Sequence, residues 1–246
     1  MNFETTPRPY LCAAGIAYLA NILLGLFGEV FVRGTLIVAG DASATAANIA
    51  GSPGLWRAGI AGDLVMQLLD IPLIVVFYLL LRPVSGPLAL TATLFNIVQT
   101  SVLAANKLSL LAPLLLSAEY LGQSQIPPQL LASLTAFSVN LHSHGFGIGL
   151  IFFGFTCLIR GHLIVKSGFL PPVLGYFLMA AGASYLVNSF ALLLVPQIAS
   201  MLFPWILFPA LIGELSLSLW LLVRGIDIET WKTRLVSIKR PEQNAA

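Results

Sequence analysis

Residues 57–81, RAGIAGDLVMQLLDIPLIVVFYLLL, are long and apolar enough to cross a bilayer, yet they hold Asp63, Gln67 and Asp70. These three lie at i, i+4 and i+7, one face of a helix, while lipid-compatible side chains fill the other faces. An ionised carboxylate at the bilayer centre costs about 2.5–3.5 kcal/mol on insertion scales and more in simulations. The polar face must therefore turn into a bundle interior or a wet cavity, and its partners must come from other spans.

The rest of the chain reads the same way. Of 246 residues, 58% are hydrophobic and 9% charged, with a mean hydropathy of +0.92; a soluble domain carries about a quarter charged residues. So few charges exclude a water-facing surface. The expected fold class is an all-α membrane protein, a six-transmembrane-helix bundle with a short amphipathic C-terminal helix. Spans at residues 10–32, 57–81, 88–111, 130–159, 171–195 and 204–223 each offer about the 20 residues that the hydrocarbon requires. They form one domain, 10–223, between a lead at 1–9 and a tail at 224–246. The first span is too long for a secretory h-region and is read as a retained helix. Asp41 or Ser43, followed by Gly51-Ser52-Pro53-Gly54, predicts a short interfacial helix after it. Pro72 and Pro209 predict kinks, and residues 117–129 a polar loop. In the tail, Ile228, Trp231, Leu235 and Ile238 form a stripe beside Lys232, Arg234, Lys239 and Arg240, the pattern of a helix lying on an anionic membrane face.

With the N-terminus inside, the inner segments hold Arg8, Arg82, Arg160, Lys166, Arg224, Lys232, Arg234, Lys239 and Arg240, and the outer ones only Arg33 and Arg57. That bias places both termini in the cytoplasm. Cys12 and Cys157 then fall near cytoplasmic helix ends and are expected as reduced thiols.

Counting ~1.5 Å of rise per residue puts Asp70, Asn96 and Glu214 near mid-membrane. Asp63, Asn106, Lys107 and Asn188, with Asn140, His142 and His144, fall in the outer half. The expectation is an outward-facing polar cavity whose ligand-binding set is Asp63, Asp70, Asn96, Lys107, Asn140, His144, Asn188 and Glu214. Lys107, read as the lone buried cation, has Asp63 or Asp70 as its natural partner, and such a pair would serve equally to register helices. Glu214 has no evident cation at its depth. Glu29 and Arg33 read as an interfacial salt bridge. His142 and His144 point to opposite sides of one helix, so no metal or other cofactor is expected.

Three functional readings stay open: binding or transport of a small molecule or ion, a non-catalytic membrane subunit or sensor fastened by its polar contacts, and an intramembrane metal-assisted hydrolase. The expected partners are the lipid bilayer and a small-molecule or ion ligand, with no nucleic acid; a homo-oligomer is left open.

Two blocks carry a family resemblance. The first is Phe31-Val32-Arg33, Gly40-Asp41 through Thr45 to Asn48-Ile49, then Arg57, Gly59 and Asp63-Leu64. The second is Phe152-Phe153-Gly154, Gly161-His162-Leu163-Ile164, Ser167-Gly168-Phe169-Leu170-Pro171, Leu174-Gly175 and Tyr185. The chain resembles the bacterial domain of unknown function 4386 family, six-helix membrane proteins with no assigned activity, and departs from it at Pro172, where a basic residue is expected. The resemblance implies the bacterial cytoplasmic (inner) membrane. It also implies that Arg33, Asp41, Thr45, Asn48, Arg57 and Asp63 form a shared outer-mouth feature, either a loop pinned by Arg–Asp contacts and caps or a ligand gate.

Overall fold

The computed structural model describes residues 3–116 and 126–243, except the side chains of 238–243. Most of the loop at 117–129 lies outside the described residues, as do the side chains of Ile238, Lys239 and Arg240. Among the described residues there are nine α-helices and no strand. Helix α1 (Pro7–Leu26) runs on into a π-helical stretch, Phe27–Arg33, and a turn, Gly34–Leu36. Then come α2 (Ala42–Gly51), α3 (Pro53–Leu81), α4 (Gly86–Leu115), α5 (Pro128–Ser167), α6 (Pro172–Leu194), α7 (Pro196–Leu202), α8 (Phe208–Val223) and α9 (Ile228–Gln243).

Six helical stretches are long and apolar enough to cross a membrane: Pro7–Leu36, Pro53–Leu81, Gly86–Leu115, Pro128–Ser167, Pro172–Leu194 and Trp205–Val223. Prolines sit in the first turn of each of these helices, where the missing N–H is harmless. Pro209 is one of them: it starts α8 after a 3-10 turn at Trp205–Leu207, so it bends no helix. The α3 helix continues through Pro72. The spans pack as a closed ring in the order α1, α3, α4, α5, α6, α8 and back to α1.

One seam of the ring is backbone against backbone. Gly154 and Gly161 of α5 face Gly182 and Gly175 of α6, both pairs seven residues apart. A Cβ on Gly161 would lie 2.6 Å from the Gly175 carbonyl oxygen, and one on Gly182 2.6 Å from that of Gly154. Small residues allow this approach where lipid supplies no hydrophobic drive. Helix α5 ends on Gly168, whose φ of +75° makes the left-handed cap. It therefore extends eight residues past Ile159 and keeps Arg160 inside the bundle.

We call the end of the ring holding Phe3 and α9 the base, and the other the mouth. At the base Trp231 and Leu235 of the tail stripe turn inward against the bundle rather than onto a membrane face. Trp231 is fully buried and its Nε1–H donates to the Leu80 carbonyl (3.0 Å), one of the carbonyls orphaned at the end of α3. Phe3 meets the Trp231 ring edge-on, Arg82 pairs with Glu4, and Arg8 donates to the last carbonyls of α8, those of Val223 and Arg224. At the mouth, the short helix α2 forms as expected: the Asp41 side chain accepts from Ala44 N, and Ser52 and Pro53 end it.

Candidate functional site

The buried polar side chains form two tiers. The mouth-side tier begins with the π-helical stretch of the first span, where the Gly34 amide bonds the Glu29 carbonyl five residues back; such stretches gather at functional positions. Arg33 leaves this stretch with its Nε on Glu29 Oε2 and its Nη1 on Asp63 Oδ2, both at 2.8 Å. Lys107 Nζ of α4 donates to the same Asp63 oxygen, also at 2.8 Å. Glu29 is largely exposed while Arg33, Asp63 and Lys107 are buried. Two cations thus meet two carboxylates, a neutral set whose hydrogen bonds offset the desolvation of three buried ions. Gly28 makes room for it, since a Cβ there would lie 2.7 Å from Asp63 Oδ1. Beside the set, the void lined by Val32, Arg33, Trp56, Gly59, Ile60 and Leu110 has no room for a water molecule. Asn106 Nδ2 donates to His142 Nδ1 and to the His142 carbonyl, which leaves the imidazole as a neutral acceptor on that nitrogen.

The second tier lies about two turns, ~10 Å, closer to the base. Asp70 accepts from Asn21 Nδ2 of α1 (2.8 Å) and from Thr100 Oγ1 of α4 (3.1 Å). Asn96 donates to Gln99 Oε1 and accepts from Arg160 Nη2, each at 2.6 Å, and the Arg160 guanidinium covers the Phe77 ring at 4.6 Å. Glu214 of α8 accepts a hydrogen bond from the Tyr185 hydroxyl, and Tyr18 is a close electrostatic neighbour of it. The electrostatic neighbours of Arg160 are Tyr18, Cys157, Asp70 and Glu214, and with Asn96 and Tyr185 all six spans contribute to this tier. Among the described residues, Asp70, Arg160 and Glu214 make no ion pair within 4 Å. Each is bound by neutral amides, hydroxyls or a ring instead.

Of the expected ligand set, Asp63 and Lys107 fall in the mouth-side tier and Asp70, Asn96 and Glu214 in the second. His144 is exposed, with Nδ1 on the Asn140 carbonyl of its own helix. Asn140 is exposed as well and lines a mouth cleft of about 280 Å3 with Val38, Asp41 and Thr45. Asn188 is partly buried and joins neither tier. The single outward pocket expected from depth is thus divided, because depth says nothing of which way a side chain rotates. In the mouth loop Thr45 Oγ1 donates to the Asp41 carbonyl and accepts from Val38 N, and Asn48 Nδ2 donates to the Leu36 carbonyl, while Arg57 is exposed. Lys107 is not alone as a buried cation, since Arg33 and Arg160 are buried too.

Arg160, Asn21, Tyr18, Thr100 and Tyr185 are the site residues that sequence reasoning missed. For Arg160 a signal exists in Gly168 and Pro171, which mark the end of α5 later than hydropathy does. Among the described residues no three His, Cys, Asp or Glu side chains gather to share a metal. The second tier offers instead carboxylates, a guanidinium and amides able to exchange a proton, an ion or a polar solute.

Comparison with known proteins gives a family and no activity. The family model described as Domain of unknown function (DUF4386) matches residues 13–225. An uncharacterised protein of Archaeoglobus fulgidus is 28% identical over 166 residues, covering 68% of this chain and 83% of its own. No solved structure matches.

Proposed function

We infer the activity of this chain, which belongs to the DUF4386 family, from its core: it binds and transports a small solute or ion through the six-helix ring. The observation that carries the reading is the second tier, where Asp70, Arg160 and Glu214 come from three spans and none is ion-paired among the described residues. Ionisable groups used only to fasten helices gain most from direct pairing, as the Arg33–Asp63–Lys107 set does. Ionisable groups held apart by amides and hydroxyls are poised to take a ligand. On this reading the mouth-side set is a closed plug above the binding tier.

The base faces the cytoplasm. With Arg160 withdrawn into the bundle, eight of the nine Lys and Arg assigned to inner segments remain there, against Arg33 and Arg57 toward the mouth. The membrane is a cytoplasmic one, the inner membrane where the cell is a bacterium.

Reconstituted in liposomes, the protein should collapse an imposed gradient of H+, Na+, K+ or Cl−, followed with ion-sensitive dyes, faster than protein-free liposomes. Glu214→Gln should slow that collapse. Gradients that persist unchanged, in a protein that none of these ions stabilises, would overturn the reading. The doubly paired Asp63 favours a second reading, a membrane subunit whose polar contacts only fasten helices; it expects no flux and full stability in any salt.

A further inference from the structure

We propose that the second tier holds one sodium-sized monovalent cation, ligated by oxygens of Asp70, Asn21, Gln67 and Thr100. This rests on reading the core as a binding site and names what that site takes.

In the mouth-side tier Arg33 and Lys107 balance Asp63 and Glu29, and the sum is zero. In the second tier Asp70 lies against donors of Asn21 and Thr100 and Glu214 against the Tyr185 hydroxyl, and Arg160 is the one cation there among the described residues. With both carboxyls ionised the sum is −1 inside a membrane span, and one added positive charge restores neutrality.

Beside Asp70 lies a pair of orphaned acceptors. Asn21 Oδ1 and Gln67 Oε1 are buried and have no hydrogen-bond partner, in side chains only 8% and 6% exposed. Asn21 already touches Asp70 through its other amide atom. Gln67 stands one turn before Asp70 on the same helix face and has turned its Nε2 back to the Asp63 carbonyl. Rotating the Asn21 amide by half a turn would exchange its Nδ2 for Oδ1 beside Asp70. Thr100 Oγ1 lies 3.1 Å from Asp70 Oδ2 and 3.3 Å from Gln99 Oε1, so its proton can swing to Gln99 and free a lone pair. Side-chain rotation alone then converts a hydrogen-bonded carboxylate into an oxygen cage from α1, α3 and α4.

The donor set selects the ion. All-oxygen ligands suit a hard cation, and a single carboxylate suits one charge rather than two. A proton on Asp70 would neutralise the tier but satisfy at most one orphaned oxygen.

The test uses the purified full chain in detergent. Replacing choline chloride by NaCl at constant ionic strength should raise Tm progressively with sodium concentration, and 22Na+ should bind saturably, displaced by NaCl and not by choline. Asp70→Asn should abolish both effects, and Asn21→Ala and Thr100→Val should each weaken sodium binding about tenfold or more. Glu229→Gln, on the exposed face of α9 and in neither tier, should change neither. Absence of both effects in the wild type, a Tm that follows pH alone, or binding retained at full strength in Asn21→Ala and Thr100→Val would overturn the proposal. Sodium binding without flux would remove transport and leave this site standing, whereas flux of another ion without sodium binding would remove the site alone.

Discussion

Asp63 places one oxygen between two cations, and its removal leaves Arg33 and Lys107 buried side by side with only the exposed Glu29 to answer them. Asp63→Ala should therefore cost about 3–5 kcal/mol, as breaking a buried pair does. Lys107→Ala should cost less, because Asp63 keeps Arg33. The double variant should be less damaged than the sum of the two singles, a coupling read by chemical unfolding in mixed micelles. Lys107→Ala at least as damaging as Asp63→Ala would show that the shared oxygen is not the centre of the set. At this scale a pairing of Lys107 with Asp63 or Asp70 was legible in the sequence, because a lone Lys in apolar helices has few partners to choose from, and the structure selects Asp63. Arg160 was legible only in that Gly168 and Pro171 place it inside a helix; its contacts there are with Asn96 and Phe77 on other helices. No local pattern announces those contacts.

Elements are set by backbone approach and by caps. A methyl at Gly161 would meet the Gly175 carbonyl at 2.6 Å and Met179 N at 3.0 Å, atoms that cannot yield unless α5 and α6 part. Gly161→Ala should lower stability by about 1–3 kcal/mol, while Gly54→Ala, whose Cβ meets nothing within 4 Å, should stay within about 0.5 kcal/mol of wild type. Thermal unfolding of the two variants side by side checks the contrast. In the tail, Asp227 accepts from the Thr230 hydroxyl and from the amides of Thr230 and Glu229, bonds that hold its carboxyl below the usual range. A depressed value in the folded state means that the cap is fully effective above the ordinary carboxylate pKa, about 3.9, and is lost as pH falls through the lower folded value. Amides of α9 should therefore lose hydrogen-exchange protection only in that acid range, and Asp227→Asn should remove this acid step.

For the whole molecule, the six spans and the α2 cap were readable because hydropathy and capping are local. The ring order, the division into two tiers and the outward turn of His144 were not, since each depends on how a helix rotates against its neighbours. The inward docking of Trp231 belongs with these: an amphipathic stripe fits a membrane surface or a protein floor equally, and the unpaired Leu80 carbonyl decided between them. Trp231 shares one apolar cluster with Phe77, Leu80, Leu170 and Cys157. Trp231→Ala should cost about 3–5 kcal/mol and, in a Cys12→Ser background, raise the labelling rate of Cys157 by a small thiol reagent about tenfold or more as the lower bundle opens. Unchanged labelling would show that the tail is no part of the floor.

The contact between Phe3 and Trp231 has a bearing on biosynthesis. Phe3 leaves the ribosome ahead of every span, and Trp231 follows all six, so the two can meet only when insertion of the ring is over. A stalled or clipped nascent chain would sit in the bilayer with that joint undone. Its dangling end would then give a housekeeping protease a grip that the finished chain withholds.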